Sequence, residues 1–254
     1  MARTAWLVTG SILAAAALVS GTYNVIGLLA HEMETRVETV PAEGIRRIEV
    51  DDDAGSVTIE AADVDEITVR ARIGHGLRRS GSSVRVDGET LLVRGSCPVF
   101  GSEWCDVRYT IEVPREIDVV VDSDNDGVTI VGVHGHVEAH SDNGSIRLED
   151  VVGDAVLTSD NGGIHAFGLN AGHVSASSDN GGIELELVQP PMSVDARSDN
   201  GDVVVLVPAG DELYAVTVDT GNGNADNQLR TDPASDRHID VTTDNGDATV
   251  RYAG

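Results

Sequence analysis

From Ile45 onward the chain alternates apolar and polar residues with a period of two. Ile48 and Val50, Val57 and Ile59, Ile67 and Val69, Val84 and Val86, Leu91 and Val93, and the run Val107 to Val113 all follow it. Such alternation marks short strands with one face buried. Polar or Gly-rich breaks, notably Gly74 to Ser83, separate the strands, and no useful apolar stripe at helical spacing follows residue 31. The exception lies upstream. Ala5 to Ala30 is almost free of charge, and at about 1.5 Å per residue such a run crosses a bilayer of about 30 Å. Arg3 before it and Glu32 and Glu34 after it place the bulk of the chain outside the membrane. A cleaved signal peptide is the competing reading, with Val19-Ser20-Gly21 a poor cleavage site.

The second half repeats. Ser-Asp-Asn-Gly occurs at 141–144, 159–162, 178–181 and 198–201, with looser copies at 123–126, 220–223 and 243–246. The asparagines Asn125, Asn143, Asn161, Asn180, Asn200, Asn222 and Asn245 are 18, 18, 19, 20, 22 and 23 residues apart. Aligning on them lines up apolar columns on both sides, for example Val119, Val137, Ala155, Val174, Val194, Val216 and Ile239 before the motif. Each repeat therefore reads as strand, Ser-Asp-Asn-Gly corner, strand, looser corner. Asn and Gly tolerate positive φ and Asp bonds its own turn, which explains such a corner. Asn-Gly is also a hairpin signal, so an antiparallel meander or sandwich is the alternative. A coil that stacks each repeat on the last buries the apolar columns on one another. The expected fold is all-β, a single-stranded parallel β-solenoid of 18–23-residue coils behind an N-terminal transmembrane helix. Four segments follow: an anchor over 1–30, a polar stalk over 31–44, a β region with a cysteine loop over 45–115, and the repeat solenoid over 116–254.

The phrases DDDAGSVTIEAADVDEITVRA and CPVFGSEWCDVRYTIEVPREIDVVV, with the repeated SDNG before an alternating strand, carry a resemblance. Over roughly residues 45–252 the chain resembles a bacterial putative-adhesin family of β-strand-repeat proteins. That family has a domain of unknown function, often behind one transmembrane helix. The resemblance implies a β-solenoid at the cell surface and brings no established catalytic residues.

Charge narrows the partners. The formal net charge is −26, which disfavours nucleic acid because phosphate contacts need a basic surface. From Glu116 onward there are 26 acidic residues and 5 arginines. In a parallel stack Asp124, Asp142, Asp160, Asp179 and Asp199 would lie about 4.8 Å apart. Neighbouring unit charges then repel by about 1 kcal/mol in water and about 3.5 kcal/mol at an effective dielectric of 20. Calcium would relieve this, but the motif lacks the Gly-Gly-x-Gly-x-Asp pattern of calcium β-rolls. The expectation is no cofactor, with Asp as turn chemistry and the asparagines as a hydrogen-bonded corner ladder. The serines fall on the inward phase of their strands.

Cys97 and Cys105 enclose a short loop with no histidine neighbour, and in an exported chain they read as a disulfide. His136, Asp154 and His173 align in one column, with histidines about 10 Å apart, too far to share zinc. Arg70, Arg72, Arg78, Arg79, Arg85 and Arg94 either pair with nearby acids or meet anionic lipid or wall polymer. No catalytic or phosphate-binding motif is present, and no histidine stands in register beside the serines to act as base. The reading is a single-pass membrane protein with an extracytoplasmic, non-catalytic, adhesin-like domain. Its partners would be the membrane and a cell-wall or envelope polymer or another surface protein. A calcium-binding β-roll-like module and a carbohydrate-active β-helix enzyme are the alternatives.

Overall fold

The computed structural model describes residues 32–53, 55–75, 80–98 and 105–253. The expected anchor over 1–30 lies outside them, as do Arg78 and Arg79. No helix among the described residues is long and apolar enough to cross a membrane.

Among the described residues, twenty-one strands form two mixed sheets. The N-terminal part supplies β1 (Glu32–Pro41), β2 (Arg47–Asp52), β3 (Val57–Ala62), β4 (Glu66–His75), β5 (Gly81–Asp87), β6 (Thr90–Ser96) and β7 (Asp106–Pro114). Repeats follow as pairs: β8 (Asp118–Ser123) and β9 (Val128–Val131), β10 (Val137–Ser141) and β11 (Ile146–Glu149), β12 (Ala155–Ser159) and β13 (Ile164–Leu169). Next come β14 (His173–Ser178) and β15 (Ile183–Leu187), then β16 (Ser193–Asn200) and β17 (Val203–Val207). The last pairs are β18 (Ala215–Asn222) with β19 (Ala225–Asn227), and β20 (His238–Asn245) with β21 (Ala248–Tyr252). One sheet runs β1-β4-β7-β3-β9-β11-β13-β15-β17-β21-β19 and the other β18-β20-β16-β14-β12-β10-β8-β2-β6-β5.

Within the repeats every strand pairs in parallel with its counterpart in the repeat stacked beside it, for example Ala139 with Leu157 and Ile146 with Ile164. The sheets are mixed because β1–β4, β4–β7 and β5–β6 are antiparallel. Asp87-Gly88 explains the β5–β6 hairpin: Gly88 sits at φ +63, where a side chain is costly. Residues 32–41, expected as a polar stalk, instead form β1, which pairs along its whole length with β4. Its polar sequence suits an edge strand that lies against solvent.

Between the sheets lies one core of Val, Ile, Leu and Ala columns. Val137, Ala155, Val174 and Val194 stack from one sheet, and Ile146, Ile164, Ile183 and Val203 from the other. Small aliphatic residues keep the layer thin. Each fully buried Val or Ile contributes about 1.5–3 kcal/mol over its exposed state.

Stack order departs from chain order at both ends. The repeat of β2 and β3 is held between that of β6 and β7 and that of β8 and β9. At the other end β20 and β21 insert between the repeat of β16 and β17 and the repeat of β18 and β19. At this C-terminal end the chain runs to the outermost repeat, β18 and β19, before returning to the rung between. The long connections over 208–214 and 228–237 supply the reach.

Candidate functional site

The Ser-Asp-Asn-Gly corners form one continuous column. Each serine is buried at the end of its strand, Ser141 and Ser159 at 0% and 1% exposure. Ser159 Oγ accepts the Gly162 N–H at 2.9 Å and donates to the Gly144 carbonyl of the preceding repeat at 3.1 Å. Ser178 does the same with Gly181 and Gly162. Thr243 donates to Gly201 and Thr220 to Gly246, which follows stack order and not chain order.

The asparagines lie outside this relay, exposed to solvent. Asn161 Nδ2 donates to the Asp142 carbonyl at 2.8 Å and to Asn143 Oδ1 at 3.2 Å. Asn180 reaches Asn161, Asn200 reaches Asn180, Asn245 reaches Asn200 and Asn222 reaches Asn245, at 3.0–3.3 Å. Asn125 and Asn143 donate to the carbonyls of Asp53 and Asp124. All seven asparagines are therefore brought into one column.

Positive φ does not explain the corner. Asp150 is the one described non-glycine residue with positive φ, so none of the asparagines adopts it. Within the repeats, the tight left-handed turns sit at the opposite, looser corner, where Gly132, Asp150 and Gly168 stack at φ +70, +53 and +66, and of the motif glycines Gly246, in the looser copy at 243–246, has φ +158. At the motif, glycine is required by close approach. A Cβ on Gly162 would lie 2.1 Å from the Gly144 oxygen, and one on Gly181 2.2 Å from the Gly162 oxygen.

Asp124, Asp142, Asp160, Asp179 and Asp199 join the stack through their backbones. The Asp160 N–H donates to the Ser141 carbonyl at 3.1 Å, and the Asp160 carbonyl accepts Asn180. Asp142 Oδ1 also meets His140 Nε2 at 3.0 Å. Burial, then the charges of Asp142, Asp53, Asp122 and Asp51, raises the Asp124 carboxyl above its ordinary value. Among the described residues no three His, Cys, Asp or Glu side chains converge as metal ligands.

Cys97 and Cys105 form a disulfide with Cα atoms 5.8 Å apart. It closes a longer loop at the corner position of the β6–β7 repeat, where Gly95 pairs with Asp52 and Asp52 with Ser123. The sequence reading missed that Asp52, Asp53 and Gly55 belong to a degenerate corner: Asp52 takes the buried serine position. Its signal was the two strands at repeat spacing around it. A cavity of about 410 Å³ beside the disulfide is lined by Asp53, Asp106, Arg108 and Asp126 among others. Arg108 pairs with Asp106 at 3.0 Å and Arg94 with Asp51 at 3.5 Å, while Arg70 and Arg72 are exposed on β4. Tyr109 donates to Ser82 Oγ at 2.9 Å, and burial pushes its hydroxyl up to about 12.

The His136, Asp154 and His173 column exists and is a backbone rail. Asp118 Oδ1 accepts the His136 N–H at 2.9 Å and Asp154 Oδ1 the His173 N–H at 2.8 Å. Asp202 and Asp247 repeat the arrangement with the Asp247 and Asn224 N–H groups.

No protein-family model and no curated protein matches the chain. Among solved structures it is similar to a putative cell adhesion protein from Clostridium sporogenes, with 9% identity and a TM-score of 0.40 over 87% of this chain and 100% of that one. It is similar to a putative adhesin from Bacteroides fragilis, with 17% identity and a TM-score of 0.41 over 87% and 97%. It is also similar to a putative lipid binding protein from Parabacteroides distasonis, with 12% identity and a TM-score of 0.38 over 88% and 97%.

Proposed function

We propose that this chain is an extracytoplasmic, membrane-anchored interaction or structural module of adhesin type, without catalytic activity. In this reading the two sheets form one parallel solenoid, capped at its N-terminal end by the antiparallel strands. The observation that supports it is the corner column. Its serine, asparagine and glycine groups are spent on neighbouring repeats, which suits a stiff rod that displays surface and does not suit a reactive centre. The rod's ligand would be an envelope polymer or another surface protein. A calcium-stabilised variant of the same module is the second reading, favoured by the crowding of carboxylates around Asp124.

Two measurements test this, the first on intact, wall-stripped cells. Added protease should remove a C-terminal tag while residues 1–31 stay with the membrane. A fully protected C-terminus would sink the anchored, exported reading. The purified chain should also retain envelope material in a pull-down without altering it, and turnover of an envelope polysaccharide would overturn the non-catalytic assignment.

A further inference from the structure

The antiparallel end of this acidic molecule gathers positive charge on one face. On the outward side of β4 and β7, Arg72 stands directly opposite Arg108, and Arg70 follows on the next outward row, opposite Thr110. All three are exposed. Like charges directly opposite one another on paired strands destabilise a sheet. Asp106 pairs with Arg108 at 3.0 Å, whereas Arg70 and Arg72 have no hydrogen-bond or ion-pair partner among the described residues. Glu112 and Glu66 share the face but lie one and two rows further along, opposite Thr68 and Pro41.

β1 completes the face with apolar groups. Thr35 lies opposite Arg72 and Val37 opposite Arg70, with Met33 one row beyond Thr35. Met33 and Val37 are 46% and 51% exposed. Two bare apolar side chains thus flank three guanidinium groups. The edge of β1 does not invite a further strand, because its inward positions hold Glu34, Arg36 and Glu38, and inward charges blunt an edge. Arg36 closes that side by donating to Glu34 and to the Ser82 carbonyl of β5. The outward face is what this end offers.

The preceding chain identifies the occupant. The apolar run Ala5 to Ala30 ends three residues before Met33 and five before Thr35. Five residues reach at most about 18 Å, so whatever holds that run holds the arginine face beside it. Guanidinium groups take phosphate oxygens in bidentate fashion. Cations set among bare apolar side chains match the boundary between lipid headgroups and acyl chains.

We propose that this face docks on the bilayer surface, with Arg70, Arg72 and Arg108 on lipid phosphates and Met33 and Val37 among the upper acyl chains. The docking rests on the anchored reading and adds an orientation to it. The repeats beyond Glu116 carry 26 acidic residues and 5 arginines. An anionic surface repels them, over a screening length of about 8 Å, while it attracts the arginine face. The antiparallel end is held down and the acidic repeats are held off.

Fluorescence on vesicles tests the docking. Full-length chain carrying Thr35→Cys takes an environment-sensitive fluorophore at that position, since Cys97 and Cys105 are bonded to each other. It is reconstituted into phosphatidylcholine vesicles with or without phosphatidylglycerol. The expected result is blue-shifted emission on the phosphatidylglycerol vesicles that returns to the water value at high salt. Each arginine near an anionic surface favours the docked state about fivefold, so Arg70→Gln with Arg72→Gln should lower the ratio of docked to undocked chain about 25-fold. That variant should keep wild-type thermal unfolding, and Arg70→Lys with Arg72→Lys should restore most of the docking. Emission that ignores lipid charge, or that survives loss of both arginines, overturns the proposal. So does a label that stays in water on the vesicles and shifts with soluble polyphosphate, which would assign the arginines to a polymer. Co-flotation separates the two claims. Chain that floats with no vesicle overturns the anchored reading, while chain that floats with its label in water overturns the docking alone.

Discussion

Ser159 Oγ donates to the carbonyl of Gly144 at 3.1 Å while accepting the Gly162 N–H at 2.9 Å, so one buried hydroxyl ties two repeats together. Ser159→Ala removes both bonds and leaves a buried donor and acceptor, at about 1–3 kcal/mol. Asn161 is exposed, so water replaces its partners, and Asn161→Ala should cost less, about 0.5–1.5 kcal/mol. Urea unfolding of the two variants should rank them in that order. Hydrogen exchange in Ser159→Ala should rise in the neighbouring repeats over 137–148 and 174–185 as well as in its own. Exchange confined to residues 155–166 would show that the repeats open independently.

Two glycines separate close approach from backbone conformation. Gly162→Ala drives a Cβ to 2.1 Å from the Gly144 oxygen, which only a separation of repeats can relieve. Overpacking of this kind costs about 3 kcal/mol. Gly44 has φ +83 and open space around its missing Cβ, so Gly44→Ala should cost only the left-handed penalty of about 1–2 kcal/mol. Calorimetry should show the larger drop in melting temperature for Gly162→Ala. Equal drops would mean that the repeats part easily.

Much of this was legible in the sequence. The columns containing Val137 and Ile146 could be read from alternation and the Asn spacing, and so could the inward placement of the serines, because burial and register share the period of the strand. The cause of the corner could not. Asn-Gly suggests positive φ wherever it occurs, and only the backbone shows that Gly162 is needed for contact with Gly144. The order of the last repeats was equally hidden. Asn222 and Asn245 have similar surroundings in sequence, and nothing local reveals that Asn245 stacks directly on Asn200. β1 was missed because Met33 to Pro41 alternates with too few large apolar residues to stand out from a stalk.

The disulfide closes a short loop. Cys97 and Cys105 are separated by 8 in sequence, and a ring of that size restricts the unfolded chain by about 2.5 kcal/mol in the chain-entropy treatment. Cys97→Ser/Cys105→Ser should therefore unfold at lower denaturant, by a free energy of that order. The Cys97 N–H contact to Asp53 Oδ2 at 3.1 Å ties the loop to the next corner. Exchange should rise around Asp53 and Asn125 in that variant and stay unchanged beyond Asn180.

Asp124 carries a pH signature whose sign follows from its surroundings. Burial first, and the charge of Asp142 next, raise its carboxyl above the ordinary 3.8. The folded chain then holds the Asp124 proton more tightly than the unfolded chain does. Below 3.8 both states are protonated and the group is neutral to stability. As pH rises through the raised value, the folded state takes on an ionised carboxylate it disfavours, and stability is lost. Asp124→Asn keeps the backbone contacts of the corner and removes the charge. It should match wild type near pH 3 and be more stable than wild type at pH 7. A variant less stable than wild type at pH 7 would mean that the ionised carboxylate is held by a cation. Calcium supplies the direct control. A site filled only in the folded state at a hundred times its dissociation constant would add about 2.7 kcal/mol. With Asp124 serving as turn chemistry, millimolar calcium should leave the melting temperatures of both proteins where they were.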